Sequence, residues 1–138
     1  PPVSLKKYRE AGIDDPEEFC SLHPVYISHK TGIRLDTVYR HVEKLCTFLE
    51  RESPKRVSQA TMERGRSELL AIPGIGDATL ERLYRAGVID AESLVHANPE
   101  KVAAQSGIPI STIREYILAL KGREYSHKSD LIKEAATR

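Results

Sequence analysis

One stretch constrains the fold of this chain more than any other: Leu69–Leu83, reading LLAIPGIGDATLERL. A short apolar run ends at Ile72. Pro73-Gly74-Ile75-Gly76 follows, and a second apolar-periodic run continues through Leu80 and Leu83. Glycine tolerates positive φ and brings no Cβ, so two glycines around one apolar residue allow a very tight turn between two helices. Ile75 is expected to plug the gap between those helices. Asp77, just past the turn, is expected to cap the next helix with its carboxylate. Such a turn leaves backbone N–H groups pointing outward at a helix N-terminus, where a phosphate can sit.

Internal repetition is the second constraint. Shifted by 75 residues, Tyr8–Leu45 lies on Leu83–Leu120 without a gap, and nine of the 38 positions are identical. They include Gly12/Gly87, Asp15/Asp90, Pro24/Pro99, Gly32/Gly107 and Ile33/Ile108. These residue types set the backbone path, so the two halves are expected to share a fold.

Each half reads as helices only. Ser4 is expected to cap a helix that stops at Gly12, a favourable place for a left-handed residue. Asp15 caps a short helix with Pro16 at its first position. Pro24 opens another, ending at Thr31-Gly32-Ile33. A longer helix runs from about Leu35 to Leu49, its apolar Val38, Val42, Leu45 and Leu49 spaced as an amphipathic helix requires. The second half repeats this with helices over Asp77–Ala86, after Asp90, over Pro99–Ser106 and from about Ser111 to Lys121. No segment alternates with a period of two. The expected class is therefore all-α.

Four segments follow. Residues 1–49 form a first unit whose leading hairpin is missing or supplied elsewhere. Residues 50–66 form a charged linker, with a connecting helix over Val57–Glu68 that Gly65 weakens. Residues 67–121 form a complete unit with two hairpins, the second at Ser106-Gly107-Ile108. Residues 122–138 form a polar tail or a short docking helix carrying Leu131-Ile132 and Ala135-Ala136. No methionine opens the chain, which reads as a processed or excised piece.

Composition limits the function classes. A hydrophobic share of 40% allows a packed core, while no run approaches the ~20 apolar residues of a membrane span. With two cysteines and no signal-peptide pattern, the chain reads as intracellular, cytoplasmic or nucleoid-associated. A net charge of +1 does not announce a nucleic-acid binder. Residues 67–121 carry seven acidic against five basic side chains, which argues against strong non-specific DNA affinity. The best basic cluster is Lys30, Arg34, Arg40 and Lys44 around the Gly32 turn, which Arg51, Lys55, Arg56, Arg64 and Arg66 would extend. Its plain alternative is a solvated helix surface.

Cys20-x-x-His23 and His41-x4-Cys46 contain zinc-ligand types. In the repeat, however, Cys20 aligns with Val95 and His41 with Tyr116, so buried thiols and a capping histidine are expected, with no metal and no cofactor. No nucleophile–base pair or paired catalytic carboxylates stand out, and no glycine-lysine-serine/threonine ending follows Gly76. The chain reads as non-enzymatic. Tyr8, Tyr26, Tyr39, Tyr84, Tyr116 and Tyr125 read as core edge rather than a base-stacking platform.

The run PGIG…RAGV…ANPEKVAAQSGI resembles the helix-hairpin-helix family in its tandem form. The second unit is most similar to the N-terminal domain of archaeal strand-exchange recombinases. Ala78 and Leu80 stand where DNA-binding members often carry a basic residue and an alanine. The resemblance implies two SAM-like or recombinase N-terminal-like helical units. It implies a non-catalytic module that grips the DNA backbone without reading sequence, in repair or recombination. Gly74, Ile75 and Gly76 would offer amides to one strand, and Gly107 and Ile108 to the other. Arg82, Arg85 and Arg114 would add charge. Lys30, Gly32, Ile33, Arg34, Arg40 and Lys44 would make an equivalent site in the first unit. The DNA would be duplex, a junction or single-stranded ends, with no membrane and no small-molecule substrate. The alternatives are a protein-docking module, suited by the acidic second unit and Asp77, or an accessory domain of a larger DNA-processing enzyme.

Overall fold

Proline and glycine punctuate the helices at matching places in the two halves. The computed structural model describes residues 2–137, and all its elements there are helices. In order they are α1 (Pro2–Glu10), α2 (Pro16–Ser21), α3 (Pro24–Thr31), α4 (Leu35–Phe48), α5 (Gln59–Leu70), α6 (Asp77–Arg85), α7 (Ala91–Val95), α8 (Pro99–Ser106) and α9 (Ile110–Thr137). The 75-residue shift carries α1–α4 onto α6–α9, and α3 onto α8 at both ends.

The match extends to single hydrogen bonds. Gly32 and Gly107 take left-handed φ of 74° and 75°. Their amides close the preceding helices on Ser28 O at 2.8 Å and Ala103 O at 3.0 Å. Gly12 and Gly87 repeat the device one turn earlier, followed by Ile13 N to Tyr8 O at 2.8 Å and Val88 N to Leu83 O at 2.9 Å. Asp15 and Asp90 cap α2 and α7. His23 and Asn98 cap α3 and α8.

A single apolar core runs through both halves. Helix α6 sits at its centre, packed on α3 to one side and on α8 to the other. Its Leu80, Leu83 and Tyr84 are fully buried. Helix α4 packs on α2 and α3, α9 on α7 and α8, and α5 lies across α6 and α7. Tyr8, Tyr26, Tyr39, Tyr84 and Tyr116 are all buried, deeper than the core edge expected for them; the side chain of Tyr125 lies outside the described residues.

Several sequence expectations change. Ser4 caps nothing, because it lies inside α1, which already includes Pro2 and Val3. Gly65 is not a weak point in α5. A Cβ there would lie 2.2 Å from the Ile89 carbonyl oxygen, so its absence lets α5 approach the segment before α7. The stretch between α4 and α5 is strapped down. The Tyr39 hydroxyl accepts from Val57 N at 3.0 Å and donates to Lys55 O at 3.3 Å. Residues 122–137 do not start a separate short helix. They continue α9 without a break through Gly122, with Leu131 and Ile132 exposed.

Candidate nucleic-acid interface

The leading turn forms as its residues dictate. Leu69 and Ile72 are buried and anchor it, and Ile75 plugs the gap between α5 and α6. Ile75 donates its amide to Ile72 O at 3.2 Å. Only the first glycine is left-handed: Gly74 has φ of 91°, whereas Gly76 is extended at φ −106° and ψ −171°. Gly74 lies under the Tyr116 ring, and Gly76 faces open space. The amides of Gly74 and Gly76 have no acceptor among the described residues. With the first amides of α6 they form an outward donor set.

Asp77 does not cap α6. Gly76 holds the N-cap position without a side chain, and the Asp77 carboxylate turns to Arg66 instead, 3.4 Å away. The ion pair matches the one acid that lies beside the free amides.

The two trailing turns behave differently. Besides the glycine amides used to close α3 and α8, Ile33 N donates to Thr31 Oγ1 at 3.2 Å and Ile108 N to Ser106 Oγ at 3.1 Å. Gly107, Ile108, Gly32 and Ile33 therefore do not present free amides to a phosphate, contrary to the sequence expectation. The hydroxyls of Thr31 and Ser106 take the isoleucine amides, and the carbonyls of Ser28 and Ala103 take those of the glycines.

The cations also sort by half. Lys30 pairs with Glu81 at 3.3 Å and Arg34 with Asp36 at 3.5 Å. Arg40 donates to Thr37 Oγ1 at 3.1 Å. Arg51 pairs with Glu17, and Arg56 Nε donates to Glu43 at 2.7 Å. The Arg56 guanidinium holds the Glu43 carboxyl below its ordinary range. The first half's basic cluster is thus largely committed, and Arg51 and Arg56 do not extend it. Arg82, Arg85, Arg114 and Lys44 have no carboxylate within 4.0 Å among the described residues.

Two clefts gather the candidate residues. One, of 570 Å³, brings Arg82 and Arg85 of α6 to Gly107 and adds Tyr26 and Gln105, which sequence reasoning did not place there. The other, of 550 Å³, sets Gly32, Ile33 and Arg34 against Gln59 and Arg66 of α5. Gly74, Gly76, Arg114, Arg40 and Lys44 line neither cleft.

The histidines and cysteines have structural partners. His23 Nδ1 accepts from Val25 N at 3.0 Å, and burial pushes its pKa below the ordinary value. The Tyr8 hydroxyl lies 2.7 Å from His41 Nδ1, and burial lowers the His41 pKa as well. The His23 ring, accepting through Nδ1, caps α3 in its neutral form. The Cys20 and Cys46 thiols are free and 3.6 Å apart. Burial and the Cys46 thiol push Cys20 up to about 11, so it stays protonated and unreactive at neutral pH. The Tyr84 hydroxyl is buried with no partner among the described residues.

No helix among the described residues is long and apolar enough to cross a membrane. No curated protein and no solved structure matches the chain. Residues 66–121, which run from the end of α5 into α9 and include the leading turn and the Gly107 turn, match the family model of the SAM-like helix-hairpin-helix tandem.

Proposed function

We propose that this chain is a non-catalytic DNA-binding module that grips the phosphate backbone without reading base sequence. The free amides of Gly74 and Gly76 carry this reading. They are unpaired among the described residues and exposed just before α6, in a segment matching a family whose domains commonly bind DNA non-specifically. Backbone donors match phosphate oxygens and carry no base information. Arg82 and Arg85, uncommitted beside Gly107, supply a second contact through charge rather than through amides. The likeness of PGIG…RAGV…ANPEKVAAQSGI to recombinase N-terminal domains supports a place in repair or recombination.

The test is fluorescence anisotropy with two labelled duplexes of unrelated sequence, each titrated at two salt concentrations. Equal affinities for the two sequences, both falling steeply with salt, are expected, since each phosphate neutralised contributes about 0.9 to the logarithmic salt slope. No binding to either duplex at low salt would overturn the reading and leave protein docking as the function of the fold.

A further inference from the structure

A groove runs along the seam between the two halves, and neither half forms it alone. Its first part is the 570 Å³ cleft where Tyr26 of α3 meets Arg82 and Arg85 of α6. A second cleft of 300 Å³ continues from it, because Arg85 and Gln105 line both. There the first half contributes Leu22, His23, Pro24 and Pro54.

The two walls differ in chemistry. The second half brings two arginines without a carboxylate partner among the described residues and the exposed Gln105. Its one acid in the groove, Glu81, is already matched by Lys30 at 3.3 Å. The first half brings no charge. Its wall is proline and leucine with Cys20 and Ser21, a histidine that must stay neutral to cap α3, and a tyrosine whose hydroxyl has no partner among the described residues. A fitting ligand is anionic along one edge, flat and weakly polar along the other, and one chain thick. A single polynucleotide strand has this form, with phosphates on one side and unpaired bases on the other. A duplex keeps its bases paired inside and offers such a groove only phosphates.

We propose that the seam groove holds a single polynucleotide strand, its phosphates on Arg82 and Arg85 and its bases toward the first-half wall. This rests on the DNA-binding reading and adds two points to it. The first half is one wall of a composite site rather than an independent second grip. The preferred ligand is a duplex with a single-stranded extension, the duplex on the leading turn and the extension in the seam.

The experiment compares the full chain's affinity for a blunt duplex with that for the same duplex carrying an oligothymidylate overhang. The wild type is expected to favour the overhang about tenfold. Gln105→Glu puts an anion in both clefts from an exposed helix position and is expected to bring that ratio close to one, with the circular dichroism unchanged. A wild-type ratio near one, with both ligands bound, overturns the seam proposal and leaves the DNA-binding reading standing. So does a wild-type preference that Gln105→Glu leaves intact. Failure of both ligands to bind overturns the reading and the proposal together.

Discussion

The two halves share their backbone devices and differ in almost everything laid over them. Gly32 and Gly107 close their helices alike, and Thr31 and Ser106 each take the amide two residues on. Yet Leu80 of α6 is 0% exposed while its counterpart Leu5 of α1 is 50% exposed. Helix α6 is packed by α3, α5 and α8, whereas α5 has no counterpart over α1 and α2 among the described residues. Leu5, Tyr8, Ile13 and Phe19 line a 240 Å³ depression there. The cations diverge in part: Lys30 and Arg34 beside the Gly32 turn are ion-paired, whereas Arg82 and Arg85 beside the Gly107 turn have no carboxylate partner among the described residues. A repeated fold therefore does not make a repeated site. The turns set where the chain goes, and the residues placed on them decide what it can hold.

Unequal burial gives the largest expected effect. Leu80→Ala removes a fully enclosed side chain and should cost about 3 kcal/mol, against about 1 kcal/mol for Leu5→Ala. Chemical denaturation of the two variants checks this, and equal losses would break the comparison. Gly65→Ala should cost about 2 kcal/mol, because the new Cβ meets a backbone oxygen that cannot step aside. If α5 tolerated it freely, the close approach to Ile89 would not be holding the second half together.

The tyrosines sharpen the contrast at about 1 kcal/mol. Tyr84→Phe removes a buried hydroxyl without a partner and should raise the thermal midpoint. Tyr8→Phe removes the bond to His41 and should lower it. The smallest effect separates the caps His23 and Asn98. The folded-state pKa of His23 lies below the ordinary 6.5. Above 6.5 both folded and unfolded states hold it neutral, and its contribution to stability is complete. As pH falls below 6.5 the unfolded chain gains a proton that the folded chain refuses, so stability declines until the folded-state pKa is passed. His23→Asn copies the cap at Asn98 and should flatten this decline in denaturation curves taken between pH 7 and 5. His41 continues to contribute in the same direction.

Much of the fold was legible because helix boundaries in this chain are written in single residues. Pro24 and Pro99 start helices, and Gly32 and Gly107 end them. Residues that act through distant partners could not be read this way. Gly65 looked like a poor helix former because Ile89, which it makes room for, lies 24 positions on. Asp77 looked like a cap because nothing local shows that Arg66 draws its carboxylate away. Arg82, Arg85 and Gly107 were readable as neighbours within one half. Tyr26 and Gln105 were not, since the groove they line exists only where the halves meet. The trailing turns misled most: a glycine-isoleucine pair signals a hairpin but does not tell whether a hydroxyl two residues back has taken its amide.

Gly76→Ser tests the central claim most directly, measured as duplex affinity and thermal midpoint together. Gly76 is extended, holds the N-cap position of α6 and faces open space, so serine fits there without strain. Its hydroxyl can take an amide of the next turn, which should leave the midpoint unchanged or raise it. The same hydroxyl competes with phosphate for those amides, and duplex affinity should fall about tenfold. A variant as stable as the wild type that binds duplex DNA equally well would show that the leading turn does not grip the backbone.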